Sequence, residues 1–135
     1  MDSNVSNITN YDYTKDINYL KLEHLVYDSL ILLGFNINVF GTKLLKDLIL
    51  YAYYNQTYDL FFDNLVYEFF NYKVINNISL DNATHRITYA ILNTRSTCFK
   101  DNFSKVFNTQ YDYYYETPKN LIILFLNLLN SNNLS

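Results

Sequence analysis

"SLDNATHRITYAILNT", Ser79 to Thr94, poses the question of fold and the question of function together. Ser79 or Asp81 offers an N-cap oxygen, which accepts from the otherwise free amides of a helix's first turn. Ala83, Ile87, Ala90 and Ile91 then recur at spacings of three and four and make one apolar stripe. Asn82, His85, Arg86, Tyr89 and Asn93 therefore fall on the opposite face, one turn apart. The segment predicts a helix that is small on the inside and mixed polar on the outside.

The helical period continues on both sides of it. A first helix is predicted over Ile17–Leu33, where Leu22, Leu25, Val26, Ser29, Leu30 and Leu33 share a face, and Gly34 stops it. In "FNINVF" Phe35, Ile37 and Val39 alternate as in a strand, and a packed loop fits the same length. Gly41 and Thr42 begin a second helix, with Leu44, Leu45, Leu48, Ile49 and Ala52 inward, which ends near Asn55 to Thr57. A third covers roughly Leu60 to Tyr72, with Phe61, Leu65, Phe69 and Tyr72 on one side, and "KVINNIS" turns into the Ser79 helix. Phe99, Phe103, Val106 and Phe107 mark a fifth. "QYDYYYE" reads as a loop, after which Thr117 and Pro118 start a sixth helix running to about Leu129. The expectation is an all-α, six-helix single domain over residues 17–130, with a helix-turn-helix at about 60–96. Residues 1–16 and 131–135 are expected to be flexible tails.

Composition supports that class. The 135 residues suit one domain, and 50% apolar with 19% aromatic content sets the chain apart from disordered sequences. Two Gly and one Pro are too few to punctuate a many-stranded β-fold. Cys98 stands alone, so no internal disulfide forms, and "MDSNVSNITNYDYTKD" lacks the basic and apolar regions of an export signal. A cytoplasmic location is expected. The run Leu121 to Leu129 is about half of what crossing a bilayer requires, so no membrane partner is expected.

Net charge is −3, which disfavours a polyanion, but the balance is uneven. Between Lys73 and Lys105 five basic residues face two acidic ones, a local excess of 5 − 2 = 3. That segment contains the Ser79 helix. Catalytic constellations are missing. His24 and Glu23 are neighbours that diverge by about 100° on a helix. His24, His85 and Cys98 have no zinc-like spacing, Cys98 has no base near it in sequence and is expected to be buried, and two isolated glycines cannot cradle phosphate. Neither enzyme activity, nor a metal, nor a cofactor is expected. Tyr51, Tyr53 and Tyr54 cannot all face inward on one helix, nor can Tyr111, Tyr113, Tyr114 and Tyr115 all be buried in one loop; exposed tyrosines suit a protein interface.

Two stretches carry a family resemblance. "LGFNINVFGTKLLKDLI", Leu33 to Ile49, has a Leu-Gly, six connector residues, a Gly and an amphipathic helix with the basic-acidic pair Lys46-Asp47. "SLDNATHRITYAILNTRSTCFKDNFSKVF", Ser79 to Phe107, includes the pairs Ala90-Ile91 and Val106-Phe107, and "TPKNLIILFLNLL", Thr117 to Leu129, supplies a cap and apolar run for a last helix. In order and spacing these resemble the C-terminal DNA-binding effector domain of the stage-zero sporulation protein A response regulators. The resemblance implies a stand-alone effector-like domain without a receiver. It further implies a recognition helix at Ser79–Thr94, double-stranded DNA as partner, homodimers or head-to-tail pairs on repeated sites, and a role in transcription or sporulation. Candidate DNA contacts are then Asn82, Thr84, His85, Arg86, Thr88, Tyr89, Asn93 and Arg95. Where the family presents Arg, Glu and Arg, this chain has Asn82, Thr84 and His85, and Thr88 replaces a further basic residue. An Arg that forks onto guanine contributes about 1–3 kcal/mol of discrimination, so the family's own site is not expected to be retained. The rival expectation is a degenerate effector-like module that binds or antagonises another regulator through its acidic, Tyr-rich surface.

Overall fold

The computed structural model describes residues 12–55, 62–72, 78–94 and 98–133. Among these residues there are six α-helices and no strand: α1 (Tyr19–Leu32), α2 (Phe40–Asn55), α3 (Phe62–Tyr72), α4 (Leu80–Asn93), α5 (Phe99–Phe107) and α6 (Pro118–Asn133). The expected all-α class with six helices is what the described residues adopt.

α1 ends as its sequence requires. Gly34 takes φ 96°, Phe35 N–H donates to Leu30 O at 2.9 Å and Gly34 N–H to Ile31 O at 3.0 Å, the paired bonds of a Schellman stop. Phe35 is buried and meets the ring of Phe99 edge-on. From the other side α5 covers the same terminus: Asn102 Nδ2 and Cys98 Sγ donate to Leu32 O at 2.8 and 3.2 Å. Cys98 is accordingly half-buried and hydrogen-bonded, where simple burial was expected.

The alternation in "FNINVF" is not a strand. Asn36 Oδ1 accepts from Asn38 N–H at 3.0 Å and Asn36 O from Val39 N–H at 3.1 Å, a side-chain-supported turn that outcompetes extended pairing. It feeds α2, which packs against α1, α3, α4 and α6. Because neighbours surround it, α2 buries Gly41, Thr42, Lys46, Leu50 and Tyr51 as well as its predicted stripe. Tyr53 and Tyr54 are half-buried against the core, which corrects the expectation of an exposed tyrosine face there.

The first residues described are also packed rather than tail-like. Tyr13–Lys15 form a single 3-10 turn, Tyr13 is only 6% exposed and stacks on Tyr54 at 4.8 Å, and Tyr54 Oη donates to Asp16 at 2.9 Å. An aromatic cluster of Phe99, Phe103, Phe107, Tyr111, Tyr115 and Phe125 joins α5 to α6. "QYDYYYE" holds a 3-10 turn at Tyr113–Glu116, with Tyr111 and Tyr115 half-buried and Tyr113 and Tyr114 exposed. α6 begins at Pro118 and continues past the predicted end at Leu129; Asn130 Nδ2 donates back to Leu126 O at 2.9 Å.

Candidate nucleic-acid interface

α4 is built as its sequence reads. Ser79 Oγ accepts from Asn82 N–H at 3.1 Å, Asp81 complements the positive end of the helix dipole, and the buried Thr94 hydroxyl donates to Ile91 O at 2.6 Å. Ala83, Ile87, Ala90 and Ile91 are all buried.

What fixes the orientation of α4 is a residue on another helix. A Cβ added to Gly41, in the first turn of α2, would lie 2.1 Å from the carbonyl oxygen of Arg86 and 3.3 Å from Ala90 Cβ. The backbones of α2 and α4 therefore touch, and only glycine on one side with alanine on the other permits it. With α4's inner face pressed onto α2, its opposite face is turned to solvent.

That outer face gathers most of the predicted contacts. Asn82, His85, Arg86, Tyr89 and Asn93 are all exposed, Tyr89 at 63%, and their positions fall within an arc of about 100°. Thr84 and Thr88 do not join them: both are half-buried on the flank, and Thr84 Oγ1 is taken by Leu80 O at 3.0 Å. Arg95 lies outside the described residues, as do Lys73 and most of the turn between α3 and α4.

The exposed polar groups are partly organised. His85 Nδ1 is 3.3 Å from Asp81 O, and since a carbonyl only accepts, the ring donates from Nδ1 and points Nε2 outward as an acceptor when neutral. Arg86 Nε donates to Asn82 Oδ1 at 3.3 Å, while its guanidinium carbon lies 5.4 Å from the centre of the Phe40 ring at the start of α2. Arg86 is thus held to the α2 side of α4. Asn82 keeps its amide donors free. Phe40 and Gly41 were missed in the sequence, although the small stripe Ala83-Ala90 is the matching half of a close helix contact.

Charge on this surface is sparse. Arg86 is the one cation of the outer face of α4; Lys100 sits on α5, 5.7 Å from the Tyr111 ring, and Lys105 is exposed there. The described residues contain no cluster of three or more metal-ligating side chains and no helix long and apolar enough to cross a membrane.

Comparison with protein-family models, characterised proteins and solved structures returns no match. The likeness to the sporulation effector domain accordingly rests on the quoted residues alone.

Proposed function

We propose that this domain binds double-stranded DNA through the outer face of α4 and acts as a transcription regulator by occupying its site, as the family resemblance implies. The observation that carries the reading is the set of side chains on that face. Asn82 has the donor-acceptor pair that suits adenine, His85 presents an acceptor to exocyclic amines, Arg86 reaches guanine or phosphate, and Tyr89 can stack or donate to phosphate. α3 packs on α4 and would be the supporting helix of the reading unit.

The test is selection of bound duplexes from a random pool at low salt, followed by a salt series. Enrichment of a sequence, with Arg86→Ala weakening binding about tenfold and reducing the slope of log affinity against log salt by about 1, supports the proposal. No enrichment and no salt dependence would overturn it.

A second reading is favoured by charge. Net charge is −3, and the exposed Tyr113 and Tyr114 lie between Asp112 and Glu116, a combination suited to a basic protein partner rather than to DNA. Under that reading the random pool yields nothing, and Tyr113→Ala/Tyr114→Ala abolishes capture of a partner that Arg86→Ala leaves intact.

A further inference from the structure

The outward face of α1 carries exposed apolar residues in line along the helix, flanked by charges. Its inner face, Leu22, Val26, Ser29 and Leu30, is buried. On the far side Leu20 is 66% and Ile31 48% exposed, with His24 exposed and Tyr27 half-exposed between them. Positions 20, 24, 27 and 31 step by four, three and four, the seam of a coiled-coil helix. Single exposed apolar residues need no explanation, but an aligned seam does. Ile17, 92% exposed in the turn before α1, extends it by one more step of three.

Charges beside the seam identify the occupant. Lys21 and Asp28 are both exposed on the same flank, and neither has an ion-pair partner among the described residues. When two copies of the helix run antiparallel, core positions of one type oppose those of the other. Leu20 then meets the partner's Ile31 and His24 meets the partner's Tyr27, each twice by symmetry. In that register Lys21 comes beside the partner's Asp28, also twice. In the alternative register, with Leu20 opposite His24, the two Lys21 ammonium groups would approach each other instead.

We infer that the exposed seam of α1 is a self-complementary interface through which two copies of this chain pair antiparallel, Lys21 facing Asp28 across the two-fold axis. The contact is isologous. It therefore differs from head-to-tail pairing on repeated sites, one of the arrangements that the family resemblance implies, and it needs no DNA. One helix pair of this length buries on the order of 1,000 Å² in total, the lower end of specific interfaces, so the dimer is weak and concentration-dependent.

Sedimentation velocity of the full chain without DNA, from micromolar to near-millimolar concentration, tests it. Leu20→Lys/Ile31→Lys is expected to weaken dimerisation at least tenfold while far-UV circular dichroism stays unchanged, because both side chains are exposed. The sharper test uses charge alone. Lys21→Asp and Asp28→Lys each place like charges opposite one another and each should weaken self-association several-fold; an equimolar mixture of the two restores it, as does the double substitution in one chain. A chain that stays monomeric throughout, or a dimer indifferent to these reversals, overturns the inference.

Discussion

α2 meets α1 and α4 by two opposite physical means. Toward α4 the backbones themselves meet: Gly41 lies against the Arg86 carbonyl with Ala90 following, and the Arg86 guanidinium covers the Phe40 ring beside them. Toward α1 the contact is ionic and largely buried. Lys46, 8% exposed, places Nζ 2.8 Å from Glu23 on α1 and 2.7 Å from Asp47 on its own helix, with the Tyr27 ring 5.3 Å away and Tyr19 Oη donating to Glu23 at 3.2 Å. Burial alone would lower the Lys46 pKa, yet hydrogen bonds to Asp47 and Glu23 carry it above the usual lysine range. One contact tolerates no added atom and the other no lost charge. The first is what a helix needs if its far side must stay free for a ligand.

The largest expected effect comes from adding one methyl group at the close contact. Gly41→Ala puts Cβ where a backbone carbonyl already stands, and backbone cannot yield as a flexible side chain does. Overpacking of this kind costs about 3 kcal/mol. Chemical denaturation should show that loss, and the DNA binding proposed for α4 should fall as well, although no residue of the outer face has changed. A variant as stable as the parent would mean that α4 does not rest on α2 in this way.

Breaking the ionic contact should cost less. Removing one partner of a fully buried ion pair costs about 3–5 kcal/mol, and because Glu23 and Asp47 keep a fifth to a quarter of their side-chain surface, about 2 kcal/mol is expected for Lys46→Met. Adding Glu23→Gln should recover part of it, since one carboxylate is then no longer left uncompensated. The DNA binding proposed for α4, measured at a temperature where both variants are folded, should not change. An additive double variant would show that Lys46 contributes packing alone.

These two contacts also mark the limits of what the sequence discloses. Helical periodicity located the inward faces of α1, α4 and α5, because each has one buried side and one wet side. It under-read α2, which is enclosed by four helices, so that Lys46 and Tyr51 are inside despite falling off the predicted stripe. Gly41 looked like a helix start and Phe40 like the end of a connector; their meaning depends on α4, some 45 residues further on, and no local pattern carries that. The outer face of α4 was readable for the same reason that its inner stripe was. Thr84 and Thr88 were the exceptions: only the family resemblance suggested them as contacts, and helix geometry puts them on the flank.

The smallest effect concerns the rim of the ionic contact, and its sign is set by linkage. The Tyr19 phenol is pushed up to about 12, first by burial and further by the Glu23 carboxylate, against the opposing pull of the Lys46 ammonium. An unfolded tyrosine titrates near 10, so between about pH 10 and 12 the unfolded chain has released this proton while the folded chain still holds it. The folded state then binds more protons, and its stability falls as pH rises through that window. Tyr19→Phe has no proton to lose there. At pH 8 it should be less stable by about 0.5–1 kcal/mol, the net worth of the Tyr19 to Glu23 hydrogen bond. The gap to the parent should then close as pH climbs past 10, because the parent alone is losing what Tyr19 contributes. Urea midpoints for the two proteins at pH 8, 10 and 11 measure this directly; a constant gap would mean that Tyr19 ionises no later in the folded chain than in the unfolded one, and that the α1 side of α2 is more open to water than its ion pairs suggest.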